Sequence, residues 1–207
     1  DLVLSDNRYG AWSKMVPSVF MSHQLSPKPP RGLQFTRPLL QLLLRYWLRP
    51  FKYLLVPDLP QAFTSLAGEL SHAWHDKRLR YLGPLSRLDA VATGQGAHRL
   101  LVILSGPEPQ RTVFERRIRQ QLRYFDLPTL LVQGKPGPLR YEKDGHLQIC
   151  NALPPNELAA AIKQAELVVA RSGYSTIMDL WKVGGRACFV PTPGQTEQEY
   201  LATRLAE

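Results

Sequence analysis

The chain has 207 residues, a length suited to one large domain or two small ones. Its 44% hydrophobic and 21% charged residues exclude a wholly disordered chain, and two cysteines without a Cys-x-x-Cys pair argue against a disulfide framework or a structural zinc site. The 26 lysines and arginines exceed the 17 acidic residues, and the net charge of +9 favours an anionic partner: nucleic acid, an acidic membrane surface or a phosphate-bearing ligand.

Short apolar runs alternate with stretches of helical periodicity, which predicts an α/β fold. Most of these runs are continuously apolar, as is typical of parallel strands covered on both faces. The predicted strands are 2–4, 18–22, 53–57, 100–104, 129–133, 147–150, 167–170 and 187–191. The predicted helices are 37–49, 59–70, 111–124, 156–165, 176–183 and 197–205.

A stretch without clear periodicity at residues 87–98 separates two such strand–helix patterns. We therefore predict a first domain at 1–90, a linker at 91–98 and a second domain at 99–207. The chain begins without a methionine and ends inside a helical pattern, so we expect a fragment that lacks both flanks.

The first of three strand–turn–helix segments follows the strand predicted at 100–104. Ser105 and Gly106 form a turn before an arginine-rich helix, where backbone N–H groups and the helix dipole favour an anion. Pro107 and Pro109 each remove an N–H group from this turn. A phosphate site and an ordinary β–α turn are both compatible with this pattern.

The second segment follows the strand predicted at 167–170. Gly173 permits close approach of the backbone to a ligand, and Ser175 or Thr176 can cap the next helix while its first N–H groups face a diphosphate. Asp179, about one turn into the helix, can accept hydrogen bonds from ribose hydroxyls. The alternative is a capped helix in which Asp179 only favours the helix dipole.

The third segment follows the strand predicted at 187–191. Glu197 and Gln198 stand near the start of the next helix and can bind sugar hydroxyls through paired acceptor and donor bonds. The alternative is a helix start with acidic residues at its positive end.

These residues together resemble the donor-binding C-terminal domain of glycosyltransferase family 28, which includes the bacterial N-acetylglucosaminyltransferase acting on lipid-linked muramyl-pentapeptide. The resemblance covers residues 167–202, and it continues weakly at 1–10, 16–25, 82–87 and 105–111. The matching residues are Arg171, Ser172, Gly173, Ser175, Thr176, Asp179, Val190, Pro191, Glu197, Gln198 and Ala202.

The resemblance implies a GT-B fold, α/β with two Rossmann-like domains whose parallel sheets face a cleft. Residues 1–90 would be the C-terminal part of the acceptor-side domain, and 99–207 the nucleotide-sugar domain, truncated at its end. It also implies transfer of a hexose, N-acetylglucosamine or a related sugar, from a UDP-sugar to a lipid-linked or envelope glycan acceptor. The transfer would invert the anomeric carbon and require no metal and no cofactor beyond the UDP-sugar co-substrate.

The resemblance also implies roles for individual residues at the donor. Gly173, Tyr174, Ser175 and Thr176 would lie along its diphosphate, and Asp179 would hold its ribose. Gln198 with Glu197 would read the donor sugar, and Arg87 would neutralise phosphate. The remaining predicted donor-binding residues are Ser105, Gly106, Arg171 and Ser172. The sequence departs from the family pattern at three positions, Pro107, Asp179 and Leu201. These departures bear on which sugar the donor carries.

An inverting transferase needs a base on the acceptor side, which would lie in the first domain. Asp6 and His23 each follow a predicted strand, at the edge where α/β sheets place their ligands. The alternatives are that both only fix a loop, or that the base lies in the absent N-terminal part.

Residues 28–56 contain six cations and no acid, interleaved with leucine and aromatic residues. This segment is too short and too charged to span a bilayer, but it suits binding to an anionic leaflet. We therefore predict a cytoplasmic enzyme that is peripheral on the inner face of the plasma membrane. The alternative is a core-packing helix with a cationic solvent face.

Two other functions remain open at this point. A nucleotide-sugar epimerase has a similar two-domain build, and a basic nucleic-acid-binding protein would use the positive charge. No nucleic-acid motif and no series of stacking aromatic residues is present, so we expect no nucleic acid partner.

Overall fold

The structure is a computed structural model that describes residues 1–30, 32–72, 74–89 and 98–206. It contains two compact units. The first unit combines Asp1–Leu85 with the segment from Gly194 onward, and the second unit is Ser86–Pro193. The sequence predicted that the final segment belongs to the second domain. Residues 91–97 of the predicted linker lie outside the described residues.

A four-stranded parallel sheet forms the centre of the first unit. Its strands follow the chain order β1 (Val3–Asp6), β2 (Ser18–Met21), β3 (Tyr53–Val56) and β4 (Leu79–Tyr81). Since all four are parallel, the loops that follow them emerge at one edge of the sheet. Strand β4 was not predicted from the sequence, because its three residues are too few to show a pattern.

Two helices accompany this sheet, α1 (Arg37–Trp47) and, from the last segment of the chain, the helix Thr196–Arg204. A proline in the first turn of α1 suits a helix start, because its missing N–H group has no partner there in any case. The core between sheet and helix consists of Phe20, Leu25, Leu44, Leu48, Phe51, Leu54 and Val56.

The helix predicted at 59–70 is wrong, because this segment is a compact loop that ends in a short 3-10 turn at Gly68–Leu70. The carboxylate of Asp58 is fully buried and organises the loop from its centre. It accepts hydrogen bonds from the amides of Leu59, Leu66 and Ala67 at 2.8–3.0 Å and from the Ser71 hydroxyl at 2.7 Å. These four bonds replace the regular bonds that a helix would make.

A six-stranded sheet forms the centre of the second unit. The strands are β5 (Leu100–Ile103), β6 (Thr129–Val132), β7 (Tyr141–Asp144), β8 (Leu147–Cys150), β9 (Leu167–Ala170) and β10 (Ala187–Phe189), in the order β10-β9-β5-β6-β8-β7. All pairs are parallel except β7 with β8. Strand β7 was not predicted from the sequence, because this edge strand is polar and exposed along its length.

Three helices join these strands: α2 (Gln110–Leu122), α3 (Pro155–Gln164) and α4 (Tyr174–Val183), so that Thr196–Arg204 is α5. Gly184 ends α4 in the left-handed conformation, with φ of 81°. The prediction of an α/β fold with parallel sheets is confirmed. No helix among the described residues is both long enough and apolar enough to cross a membrane.

Candidate functional site

The strand order of the second unit marks one place for a ligand. Strands β5 and β9 are neighbours, with Ile103 opposite Ala170, but β5 continues to β6 on one side and β9 to β10 on the other. Ligands of open α/β sheets bind beyond the carboxyl ends of the strands at such a reversal of strand order. The loops after β5 and β9, which contain the predicted pairs Ser105–Gly106 and Ser172–Gly173, therefore emerge side by side.

The loop after β9 leaves room for a ligand at the start of α4. Gly173 precedes the helix in extended conformation. Apart from its two chain neighbours, no residue that the structure describes has a heavy atom within 4 Å of the place where its Cβ would stand. Among the described residues no side chain caps this helix, and its first turn carries no acid. Ser175 is exposed and Thr176 is half-buried, whereas Ser172 and Tyr174 are buried. The first turn of α4 therefore presents backbone N–H groups and hydroxyls that suit an anion.

The loop after β5 is less suited to an anion, because this loop itself holds a carboxylate, that of Glu108, against the first turn of α2. Glu108 accepts a hydrogen bond from the Thr112 amide at 3.1 Å and pairs with the Arg111 guanidinium at 2.6 Å. These two interactions lower the pKa of Glu108 to about 2, and the hydrogen bond from Arg111 contributes most. Gly106 has a φ of 97°, which favours glycine at this turn.

Asp179 lies on α4 and is held by the segment that opens the second unit. Ser86 donates its hydroxyl proton to Asp179 Oδ1 at 2.6 Å, and the Arg87 Nε lies 4.0 Å from Oδ2. The Asp179 side chain is 15% exposed and that of Arg87 is 69% exposed. The structure thus brings together Arg87 and Asp179, which the sequence predicted separately. Ser86 was missed, and its only signal was its position before Arg87.

The Arg171 side chain is buried and holds the loop after β9 in place. It donates hydrogen bonds to the carbonyl oxygens of Val190 at 3.0 Å and Pro191 at 2.8 Å, and it lies 4.0 Å from the centre of the Phe114 ring. Burial, with a smaller contribution from the charge of Arg117, lowers the pKa of its guanidinium. These contacts give Arg171 a positioning role, and its contact with a donor stays a prediction.

The two candidate bases lie at the carboxyl edge of the first sheet. Asp6 ends β1 opposite Met21 of β2 and is exposed, and His23 follows β2 by two residues. The His23 Nε2 lies 2.8 Å from Glu197 Oε1. Gln24 donates a hydrogen bond to the other oxygen of Glu197 at 2.5 Å. Glu197 and Gln198, predicted beside the donor sugar, thus belong to the first unit.

Contacts along α5 explain why the last segment joins the first unit. Thr196 donates its hydroxyl proton to the Lys28 carbonyl at 2.8 Å, and the Lys28 ammonium lies 4.0 Å from the centre of the Tyr200 ring. The Glu69 amide donates to the Tyr200 hydroxyl at 3.0 Å. A Cβ on Gly68 would lie 2.5 Å from the same hydroxyl, so glycine permits this close packing.

The solvent-exposed face of helix α1 carries apolar side chains as well as cations. Its exposed apolar residues are Leu39, Leu42, Leu43, Tyr46 and Trp47. At its end Tyr46 and Trp47 line a cavity of about 570 Å³ together with Tyr9, Trp12 and Arg49. Of the six cations predicted at a membrane surface, Arg31 lies outside the described residues.

No group of three or more His, Cys, Asp or Glu side chains within the described ranges could hold a metal ion. The expectation of a reaction without metal or further cofactor stays a prediction.

One family model matches the last third of the chain. Residues 141–207 match the glycosyltransferase family 28 C-terminal domain. The sequence matches none of the curated proteins with which it was compared.

Solved glycosyltransferases share the fold. The structure resembles the glycosyltransferase of kitacinnamycin (17% identity, TM-score 0.60, 100% of this chain and 61% of that one) and the calicheamicin glycosyltransferase CalG4 (17%, 0.59, 100% and 60%). It also resembles the spinosyn rhamnosyltransferase SpnG solved with thymidine diphosphate (16%, 0.52, 99% and 57%). The chain spans about three fifths of the length of these proteins.

Proposed function

We propose that this chain, whose residues 141–207 match the glycosyltransferase family 28 C-terminal domain and whose fold is that of solved GT-B glycosyltransferases, is part of an enzyme that transfers a sugar from a nucleotide-sugar donor. The observation that carries the proposal is the open start of α4 at the reversal of strand order, with Asp179 held close by. A thymidine diphosphate in the related SpnG supports a nucleoside diphosphate as the ligand class.

In this proposal the donor is a UDP-hexose, N-acetylglucosamine or a related sugar. Its diphosphate lies against the backbone N–H groups of Gly173 to Thr176, where the helix dipole favours negative charge. Asp179 accepts hydrogen bonds from the ribose hydroxyls. The exposed guanidinium of Arg87, close to Asp179, balances the charge of the diphosphate as it leaves.

The reaction inverts the anomeric carbon and needs no metal. The acceptor oxygen forms its bond to that carbon on the face opposite the diphosphate, whose bond to the carbon breaks. A base on the acceptor side takes the hydroxyl proton. His23 and Asp6, which both lie at the carboxyl edge of the first sheet, are the candidates.

The acceptor in this proposal is lipid-linked or an envelope glycan, and the enzyme is peripheral on the inner face of the plasma membrane. The exposed leucines and aromatic residues of α1, with cations and no acid from Lys28 to Val56, support binding to an anionic leaflet.

Thermal-shift measurements with UDP, UDP-N-acetylglucosamine, thymidine diphosphate and ADP test the donor assignment. We expect stabilisation by the uridine nucleotides, and its loss in Asp179→Ala. The matched control is Asp144→Ala, which removes an exposed carboxylate from the edge strand β7 of the same unit. Absence of stabilisation by every nucleotide, or an equal effect of both variants, would contradict the proposal.

A further inference from the structure

We propose that a cationic groove of the second unit, between α2 and the segment after β6, binds a small soluble ligand that carries a phosphate or diphosphate group. The groove has a volume of about 400 Å³, and its cations are Arg116, Arg119, Arg123 and Lys135. None of the described residues that line it belongs to α4 or to the loop after β9. It is therefore separate from the candidate diphosphate site and goes beyond the proposed function.

The arginines of the groove form a stripe along one side of α2. Arg116, Arg119 and Arg123 follow one another at spacings of three and four residues, which place side chains on the same face of a helix. From the first to the last, the stripe spans about 10 Å of helix. The helix dipole favours cations in the last turn, which accounts for Arg123 but not for Arg116 in the middle of α2.

A second element supplies the fourth cation from a well-held backbone. Lys135 lies three residues after β6, and its amide donates a hydrogen bond to the Asn151 carbonyl at 2.8 Å. The Asn151 side chain donates to the Lys135 carbonyl at 3.3 Å and accepts from the Arg140 amide at 2.7 Å. These bonds fix the segment after β6, so the place of Lys135 beside the arginine stripe is built into the fold.

A buried carboxylate joins the two sides of the groove. The Glu115 side chain is only 9% exposed and accepts a hydrogen bond from the Gln133 amide group at 2.7 Å. Its oxygens also lie 3.4 Å from the nearest nitrogens of Arg119 and Lys135. These two contacts are longer than typical hydrogen bonds, so both cations keep donors for a further partner. With one carboxylate against four cations, the groove has an excess of positive charge.

The two outer arginines of the stripe are available to a ligand. Arg116 and Arg123 are exposed, and neither side chain makes a hydrogen bond or an ion pair with any residue that the structure describes. Guanidinium groups bind phosphate oxygens through pairs of parallel hydrogen bonds. A phosphate monoester carries about −1.5 to −2 charge near neutral pH, so it balances the groove better than a single carboxylate does.

The lining of the groove favours a soluble ligand over a membrane. Every described residue that lines it is polar or charged. A surface that binds a bilayer also needs apolar side chains that enter the headgroup region, as α1 exposes them. The volume of about 400 Å³ lies in the range of small-molecule sites.

An NMR titration of the ¹⁵N-labelled protein with inorganic pyrophosphate, at constant ionic strength, tests the site. We expect saturable shifts at the backbone amides of Arg116, Arg119 and Lys135. In Arg116→Gln with Arg123→Gln, the Kd read from these amides should rise about tenfold or more, because hydrogen bonds between charged groups are the strong ones. Glutamine has nearly the helix propensity of arginine, so this variant should keep the fold.

The matched control is Lys182→Gln with Arg186→Gln, which removes two exposed cations of the same unit outside the groove. It changes the net charge equally and should leave the Kd within about twofold, because salt screens distant surface charges. In the same spectra the amides of Gly173 and Thr176 report separately on the proposed donor site. No saturable shift in the groove, or an equal rise of the Kd in both double variants, would overturn the inference whatever α4 shows.

Two further probes distinguish the source of the phosphate group. We expect the groove variant and the control variant to sediment equally with phosphatidylglycerol vesicles, because the groove does not bind lipid. A selective loss of sedimentation in the groove variant would overturn the soluble ligand in favour of a lipid headgroup. A single-stranded oligonucleotide that binds more tightly than pyrophosphate, and is lost in the groove variant alone, would overturn it in favour of nucleic acid.

Discussion

Ser86 donates its hydroxyl proton to Asp179 across 93 positions of sequence, with 2.6 Å between Oγ and Oδ1. The bond ties the segment that opens the second unit to the helix that begins at the candidate diphosphate site. It directs one oxygen of Asp179 to Ser86, while the other lies 4.0 Å from Arg87.

Replacing Ser86 with alanine should weaken nucleotide binding, because Asp179 loses the bond that orients it. We expect the Kd for UDP to rise about fivefold, equivalent to the ~1 kcal/mol of a typical hydrogen bond. Calorimetry measures this change. Ser86→Thr keeps the hydroxyl and should restore most of the affinity; equal affinity of Ser86→Ala and the unmodified protein would refute the role of the bond.

Removing the carboxylate of Asp58 should destabilise the first unit strongly. Asp58→Ala leaves three backbone amides and the Ser71 hydroxyl without their buried acceptor, at a cost of about 3 kcal/mol or more. Urea unfolding measures the free energy of unfolding. Glu69→Gln, which changes an exposed acid of the same loop, should cost less than about 1 kcal/mol.

The pair of Asp76 and Arg78 should make stability depend on pH in the acid range. Arg78 binds both oxygens of Asp76, at 3.1 and 2.8 Å, and lowers the pKa of Asp76 from 3.8 to about 2. A carboxyl whose pKa is lower in the folded state stabilises the fold above its unfolded pKa, and this stabilisation is lost as the pH falls through its folded pKa.

Asp76→Asn should therefore lower the urea midpoint near neutral pH, and the difference from the unmodified protein should shrink as the pH falls from about 4 to about 2. Urea titrations across this range measure it. A difference that stays constant down to the lowest pH would show that the charge of Asp76 is not responsible.

The exposed apolar face of α1 should bind anionic bilayers. We expect sedimentation with vesicles that contain phosphatidylglycerol, reduced by salt, and none with phosphatidylcholine alone. Leu42→Glu with Leu43→Glu should abolish binding, since both side chains are exposed on α1. Leu139→Glu, at an exposed leucine of the second unit, is the control. Equal binding by both variants would exclude α1 as the membrane surface.

The sequence predicted those parts of the fold that depend on local pattern. Strand β9 was predicted with the bounds Leu167–Ala170 that the structure has. A continuous run of four apolar residues is typical of a parallel strand that is covered on both faces. The helix predicted at 59–70 failed because buried Asp58 offers the backbone other partners. Polar strand β7 gave no signal, since an exposed edge needs no apolar face.

In the candidate site, too, the residues that could be predicted are those whose roles follow from local sequence. Gly173 and Asp179 could be predicted because their roles follow from positions on one strand–turn–helix segment. The bond between His23 and Glu197 could not, because 174 positions separate them and neither residue's surroundings in sequence indicate the other. Such contacts arise from packing of whole elements, here α5 against the loop after β2.

The most direct test of the central claim is an NMR titration of the ¹⁵N-labelled protein with UDP, followed at the backbone amides. The account predicts saturable shifts centred on Gly173, Ser175 and Thr176, with smaller shifts at Ser86. Shifts confined to residues away from the start of α4, or no saturable shift anywhere, would contradict it.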